Sequence, residues 1–175
     1  MTITSLIRNV PNYPIPGIMF KDITTLLSDA KGFRFTIDEF VNRYRNCGID
    51  KIVGVESRGF IFGAAIAFEL GVGFVPIRKK GKLPATTVGI DYDLEYGTDR
   101  IEIHLDAIGK GENVLLVDDL IATGGTAFAA IKLIELVGGN VMESCFVVDL
   151  PFLGGSKKIK DAGYKVFSLC EYENE

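Results

Sequence analysis

The spacing of apolar residues along the chain predicts where its helices and strands lie. Between residues 35 and 48, Ile37, Phe40, Val41 and Tyr44 recur at intervals of three or four, which is the spacing of one helical face. Longer apolar stretches that end in glycine predict further helices. These stretches are residues 59–71 and 124–139, and the shorter, more polar segment 155–163 predicts a short helix.

Short apolar runs predict buried strands between these helices. The runs are residues 51–55, 73–77, 113–117, 140–150 and 164–172. Two segments that alternate between apolar and polar residues, 86–94 and 100–105, predict the arms of a hairpin. Residues 1–32 are interrupted by Pro11, Pro14 and Pro16, and they predict a short helix followed by irregular chain.

The order of these elements predicts the fold class. Strands that alternate with helices are joined by right-handed crossovers and form a mostly parallel sheet. We therefore predict an α/β fold in which a mostly parallel twisted sheet is flanked by helices. The chain has 175 residues, which suits one domain over residues 1–175.

Composition and charge exclude several classes of protein. The formal net charge of −4 offers no general basic surface for nucleic acid. Cys47, Cys145 and Cys170 form no CxxC motif, which argues against a disulfide framework or a zinc site and indicates a reducing compartment. The N-terminus does not read as a signal peptide, and the most apolar stretch contains Glu69 and several glycines. We therefore expect a cytoplasmic protein that does not bind membranes.

Three polar segments follow predicted strands and should meet at one edge of the sheet. They are ESRGF (56–60), RKKGK (78–82) and DDLIATGGT (118–126). Ligands of open α/β sheets bind in the crevice beyond the carboxyl ends of the strands. This edge is therefore the predicted site.

The DDLIATGGT segment joins a strand to a helix and is the strongest candidate for chemistry. Its glycines and the amides of the helix N-terminus favour an anion such as a phosphate, with hydroxyl donors from Thr123 and Thr126. Asp118 and Asp119 would repel phosphate but can accept hydrogen bonds from sugar hydroxyls, so a ribose phosphate suits both halves. The alternative is an ordinary helix start with capping threonines and two solvated acids. Neither GxxxxGK[ST] nor GxGxxG is present.

The RKKGK segment concentrates positive charge in a chain that is acidic overall. Arg78, Lys79, Lys80 and Lys82 lie within five positions, and Arg58 should join them at the same edge. Taken alone, such a run favours a solvated surface. Beside a phosphate site it indicates a second anion site, and hence a ligand with phosphates at both ends. Magnesium is then expected, because it accompanies polyphosphates and needs few protein ligands.

Two further segments carry candidate residues with open alternatives. Glu95 and Tyr96 lie at the predicted hairpin tip, where a flexible arm could close over a ligand and Glu95 could handle a proton. An ordinary exposed turn explains the same residues, and their chemistry alone favours it. In PIPGIMFKDI (14–23), Phe20 either plugs the core or stacks on a flat heterocycle.

Together, these segments resemble the adenine phosphoribosyltransferase family, a branch of the type I phosphoribosyltransferases. The resemblance covers nearly the whole chain through PIPGIMFKDI, ESRGF, PIRKKGKLP, LEYGTDRIEIH and VDDLIATGGT, in the family's order. It implies transfer of the phosphoribosyl group of phosphoribosyl pyrophosphate to N9 of adenine, with magnesium carried by the substrate. It also implies a homodimer, a mobile hood loop at residues 78–104 and an N-terminal base-binding segment at residues 1–32.

The resemblance assigns a role to each candidate residue. Asp118 and Asp119 would hold the ribose hydroxyls. The residues implied for the 5′-phosphate are Ala122, Thr123, Gly124, Gly125 and Thr126. Those implied for pyrophosphate are Arg58, Arg78, Lys79 and Lys82. Those implied for adenine are Met19, Phe20 and Lys21, while Glu95 would be the acid or base, with Tyr96 beside it.

At two positions, 122 and 21, this chain carries a different residue from other members of the superfamily or of the family. Enzymes for 6-oxopurines usually carry an acid where this chain has Ala122, so the resemblance favours adenine over hypoxanthine and guanine. Lys21 stands where some members have arginine, and the consequence depends on whether the side chain or only the backbone contacts the base. Two alternatives are a non-catalytic regulator that binds phosphoribosyl pyrophosphate and an enzyme of this fold for xanthine or a pyrimidine. The first usually carries a DNA-binding domain, for which this chain offers no room.

Overall fold

The computed structural model describes residues 2–94 and 96–173. In this part of the chain the strands are β1 (Arg8–Pro11), β2 (Met19–Asp22), β3 (Lys51–Val55), β4 (Gly73–Lys79), β5 (Thr87–Asp93), β6 (Thr98–His104), β7 (Asn113–Ile121), β8 (Asn140–Asp149) and β9 (Val166–Glu171). The α-helices are α1 (Thr24–Ser28), α2 (Ala30–Tyr44), α3 (Arg58–Leu70), α4 (Gly125–Leu136) and α5 (Gly155–Asp161). Short 3-10 helices occupy Thr4–Leu6 and Pro151–Leu153. None of these helices is both long and apolar enough to span a bilayer.

The main sheet confirms the predicted fold class. Among the described residues its strand order is β5-β6-β4-β3-β7-β8-β9. Strands β4, β3, β7, β8 and β9 pair in parallel, whereas β5 and β6 form an antiparallel hairpin that pairs with β4. The carboxyl ends of β3, β4 and β7 therefore lie side by side.

Helices cover both faces of this sheet, and the alternation along β7 shows how. Leu115 and Val117 pack in the core formed with α2 and α3, whereas Val114 and Leu116 pack in the core formed with α4 and α5. Successive strand residues point to opposite faces, so one apolar run serves both layers. The four apolar residues that predicted α2 are all buried in the first core.

The prediction of irregular chain after the first helix was wrong. Strands β1 and β2 form an antiparallel hairpin in which Arg8 lies opposite Asp22, and the two side chains form an ion pair at 2.5 Å. Prolines disfavour strands, which is why the sequence predicted irregular chain here. Pro14 and Pro16, however, lie in the connection between the two strands and not in paired positions. Met19 and Phe20 therefore lie on a strand.

Two strands extend beyond their predicted ends, and this moves site residues from loops into the sheet. Strand β7 continues through Asp118 and Asp119 to Ile121, because β8 pairs with it as far as Asp149. Strand β4 includes Arg78 and Lys79, because β6 pairs with both. Non-local pairing of this kind leaves no signal in a short polar segment.

Candidate active site

A cavity of about 280 Å³ opens at the carboxyl ends of β3, β4 and β7. Parts of all three predicted polar segments meet there, together with residues of β2. The predicted site residues that line it are Phe20, Lys21, Arg58, Lys79, Asp118, Asp119, Ala122, Thr123, Gly124, Gly125 and Thr126. Ile77 and Ile101 form an apolar part of the cavity wall.

The two acids at the end of β7 have different environments. Asp119 is buried, and its Oδ2 accepts a hydrogen bond from Arg58 Nε at 2.5 Å. The Oδ1 atom of Asp118 accepts a hydrogen bond from the backbone N–H of Asp119 at 2.8 Å. Loss of hydration, followed by the neighbouring charge of Asp119, raises the pKa of Asp118 well above its ordinary value of 3.8. The free cavity therefore holds one carboxylate paired with arginine and one that resists ionisation.

The backbone from Ala122 to Thr126 forms the start of α4. Gly124 has a φ of +85°, a conformation that favours glycine, and Gly125 is the first residue of the 12-residue helix. The N-terminus of a helix of this length directs unpaired amide groups and a positive partial charge at whatever lies before it. This stretch can therefore bind an anion.

Gly155, at the start of α5, supports this backbone and was missed by sequence reasoning. Its N–H donates to the carbonyl of Ala122 at 3.0 Å. A Cβ atom at Gly155 would lie 2.7 Å from the backbone nitrogen of Gly124, closer than real side chains approach. Gly59 is a similar case, since its added Cβ would lie 2.9 Å from Asp118 Oδ1. The tertiary approach that requires these glycines is not visible in the sequence.

Acids within the chain already pair with the predicted pyrophosphate residues on β4 and its loop. Glu56 Oε2 lies 2.6 Å from Lys82 Nζ, and Glu56 Oε1 lies 3.4 Å from Arg78 Nε. Although burial opposes ionisation, hydrogen bonds from the Lys82 side chain and the Lys79 N–H lower the pKa of Glu56. Glu56 also lines the cavity, and sequence reasoning gave it no role.

Lys79 is held in the same way from the neighbouring hairpin. Its ammonium forms an ion pair with Asp99 and donates to the Tyr92 hydroxyl at 3.2 Å. The hydrogen bond from Lys79 lowers the pKa of Asp99. Although burial opposes ionisation of Lys79, its hydrogen bonds to Asp99 and Tyr92 raise the pKa of Lys79. An anion that binds Lys79 must therefore compete with an acid of the chain itself.

The aromatic side of the cavity is formed by the β1–β2 hairpin. Phe20 lines the cavity, and its ring meets the edge of Tyr13 at a centroid distance of 5.1 Å and an interplanar angle of 70°. Edge-to-face packing of this kind fixes the orientation of a ring. A flat apolar surface therefore lies in the same cavity as the acids.

Some predicted site residues are not brought to the cavity. Met19, Arg78 and Lys82 are absent from the described residues that line it. Tyr96 is 87% exposed and also lies outside it. Glu95 falls outside the described residues. The roles predicted for these residues remain predictions.

Comparisons with known proteins show the family to which the chain belongs. Residues 28–174 match the model of the phosphoribosyl transferase domain family. The adenine phosphoribosyltransferase of Methylobacillus flagellatus is 63% identical over 99% of both chains. A crystal structure of the enzyme of that name from Thermoanaerobacter pseudethanolicus has a TM-score of 0.92 at 49% identity, covering 97% of this chain and 98% of the other.

A third relative was solved with ligands. The Saccharomyces cerevisiae adenine phosphoribosyltransferase, complexed with adenine and an imino-altritol 1,6-bisphosphate, is 43% identical with a TM-score of 0.91, over 96% of each chain. The sequence relatives and solved structures span nearly the full chain, and the family model spans residues 28–174. The chain therefore belongs to the phosphoribosyl transferase family, within its adenine phosphoribosyltransferase branch.

Proposed function

We propose that this protein transfers the phosphoribosyl group of phosphoribosyl pyrophosphate to N9 of adenine, forming AMP and pyrophosphate. The observation that carries the proposal is a single cavity lined by Phe20, the acid pair and the Ala122–Thr126 backbone. Relatives of 56–64% identity over nearly the full length bear the name of this enzyme. In the reaction, the N9–C1′ bond forms as the bond from C1′ to pyrophosphate breaks.

The sugar phosphate binds across the end of β7 and the start of α4. The carboxylates of Asp118 and Asp119 accept hydrogen bonds from the ribose hydroxyls. The amides from Ala122 to Thr126 bind the 5′-phosphate, as helix N-termini commonly do. Two features support this assignment: both groups line one cavity, and the acids belong to strand β7 whereas the amides belong to the start of α4.

Cations stabilise the leaving pyrophosphate. Breaking its bond to C1′ builds negative charge on the leaving group and positive charge on the sugar, and fixed cations stabilise that separation. Arg58 and Lys79 line the cavity and act there, while Arg78 and Lys82 act from the adjoining strand end and loop. Each of these cations must exchange a carboxylate of the chain for the phosphate.

Adenine stacks on Phe20, with backbone groups of Met19 and Lys21 at its edge. The Phe20 ring is held by Tyr13, which supports a platform of fixed orientation. Ala122 stands where enzymes for 6-oxopurines usually carry an acid, and the lack of that acid disfavours hypoxanthine and guanine as substrates. The base-binding role belongs to the segment 1–32 of a single domain that spans residues 1–175.

Glu95 acts as the acid or base for the proton on adenine, with Tyr96 beside it. We base this role on the family resemblance and on the sequence position of both residues, between the segments 86–94 and 100–105 that predict a hairpin. The segment 78–104 would close as a hood and keep water from the sugar cation. We expect Glu95→Ala to retain binding of phosphoribosyl pyrophosphate and to lose about 100-fold or more in kcat, as loss of general acid–base catalysis does. Wild-type kcat in this variant would exclude Glu95 from the reaction.

Magnesium is the proposed cofactor, carried by the substrate. When bound, it would neutralise charge on the pyrophosphate. The residues of the cavity fit such an ion, because Asp118 and Asp119 offer oxygen acceptors of the kind that magnesium and its bound water take. We further propose a cytoplasmic homodimer, on the family resemblance. Addition of EDTA should abolish turnover, and addition of excess magnesium should restore it.

An assay of AMP formation with each purine base tests the function. The wild-type chain is mixed with phosphoribosyl pyrophosphate, magnesium and adenine, hypoxanthine or guanine, and products are followed by absorbance and chromatography. We expect AMP from adenine and at least about 100-fold lower kcat/KM for the other bases, since the cavity must pair with the base edge. Binding of phosphoribosyl pyrophosphate without turnover would favour a regulator, and turnover of another base would favour a different specificity.

A further inference from the structure

The hairpin that carries Phe20 depends on the rest of the chain for its position. In the described residues, β1 and β2 pair with each other and not with the main sheet. An isolated hairpin of two strands is marginally stable in water. Contacts between the hairpin and the body of the protein therefore help to set the distance between Phe20 and the end of β7, in addition to the buried Ile7 and Ile23 that flank the two strands.

Lys21 makes such a contact. It is 9% exposed, lines the cavity beside Phe20, and directs its side chain away from solvent. Its Nζ donates to Oδ1 of Asn9, the residue opposite it in the hairpin, at 2.9 Å. The same Nζ lies 4.1 Å from the centroid of the Tyr172 ring, within the range of a cation–π interaction.

Tyr172 belongs to the body of the protein. It follows β9, and its N–H donates to the carbonyl of Asp149, the last residue of β8, at 3.1 Å. Its ring packs against the core formed with α2 and α3. Its hydroxyl oxygen is buried and has no hydrogen-bond partner among the described residues. The described contact of Tyr172 with the hairpin is therefore made by its ring face and involves no hydrogen bond from its hydroxyl.

We propose that Tyr172 is a positioning residue for the adenine site, which holds the Lys21 ammonium against its ring and thereby holds Phe20 over the cavity. The inference rests on the proposed function, and it adds a residue near the end of the chain to the base-binding machinery. It also predicts that the Lys21 side chain does not contact the base, because that side chain is occupied by Asn9 and Tyr172. The substitution of lysine for arginine is then tolerated, because either cation can lie on the ring.

The test compares Tyr172→Leu with the conservative variant Tyr172→Phe. Loss of the ring should raise KM for adenine about tenfold, which is the size of one partly buried cation–π contact, and leave the Kd of magnesium phosphoribosyl pyrophosphate unchanged. The phenylalanine variant should restore the wild-type KM, because the hydroxyl has no partner. Lys21→Met, which keeps the length of the side chain without its charge, should raise KM for adenine as Tyr172→Leu does, and combining both should add little.

A second readout does not depend on activity. Hydrogen exchange of the backbone amides of residues 8–22 should accelerate in Tyr172→Leu and Lys21→Met and not in Tyr172→Phe. An unchanged KM for adenine with unchanged exchange would overturn the proposal, as would equal losses of adenine and phosphoribosyl pyrophosphate binding. Should the leucine variant fail to fold, Lys21→Met decides by the same two measurements. Absence of AMP formation by the wild type would refute the proposed function instead, and the exchange comparison would still test the contact.

Discussion

Asp118 and Asp119 are the residues at which stability and function oppose each other most directly. Two neighbouring carboxylates at a buried strand end repel each other. Among the described contacts, Arg58 pairs with Asp119 and not with Asp118. Asp118 gains a hydrogen bond from the backbone of its neighbour, but burial and the charge of Asp119 still raise its pKa. Such strain is expected where a ligand supplies the missing partners.

The raised pKa of Asp118 predicts a stabilising substitution. An acid whose pKa is higher in the folded state costs stability as pH rises above 3.8, its value in the unfolded chain, and the cost is complete above the folded value. Asp118→Asn removes that cost, so Tm of the free protein at pH 7 should rise by about 3 °C, or about 1 kcal/mol. Scanning calorimetry at pH 7 and in acid checks this, since the difference should shrink toward pH 4. A lower Tm at pH 7 would contradict the raised pKa of Asp118 in the folded protein.

At the scale of elements, the site depends on where strands and helices approach one another. The anion-binding backbone at the start of α4 contacts the start of α5 through Gly155. The cations of β4 and its loop are held by Glu56, which directly follows β3, and by Asp99 of β6. The cavity is thus formed where the ends of several strands and helices meet. Its geometry is sensitive to groups that never contact the ligand.

Gly155→Ala tests the contact between α5 and the phosphate site. The added Cβ would lie 2.7 Å from the Gly124 nitrogen and must displace the backbone that binds the 5′-phosphate. We expect the Kd for ribose 5-phosphate, measured by calorimetry, to rise at least about tenfold, equivalent to about 1.4 kcal/mol. Gly73→Ala is the matched control, because its Cβ would have Lys51 Cγ as nearest neighbour at 4.0 Å. Equal affinities in both variants would remove α5 from the site.

Asp99→Asn tests the competition between the chain's own acids and pyrophosphate. The substitution removes the charge that pairs with Lys79, so the lysine becomes free for phosphate. The pair is partly exposed, so the affinity for magnesium pyrophosphate should increase only about fivefold. Asp161→Asn, at an exposed ion pair with Lys157, is the control. A decrease in affinity would mean that Asp99 orients Lys79 rather than competing for it.

At the scale of the whole molecule, the sequence predicts the sheet and one edge of it well, because local patterns encode both. Strand β3 has its predicted bounds, and the segment after Val117 lies at the predicted edge. What the sequence does not predict depends on distant partners: the β1–β2 pairing, the length of β7, and the approach of Gly155. In the sequence, Glu56 cannot be distinguished from an ordinary surface acid, because its partner Lys82 lies beside it only in the folded chain.

The central claim is that two acids and one helix N-terminus bind a single phosphorylated pentose. Calorimetric titration of magnesium phosphoribosyl pyrophosphate into the wild type and into the double variant Asp118→Asn, Asp119→Asn tests it most directly. The account predicts saturable binding by the wild type and a Kd at least about 100-fold weaker in the folded double variant, the effect of losing two charge-assisted hydrogen bonds. Wild-type affinity in the double variant would contradict it.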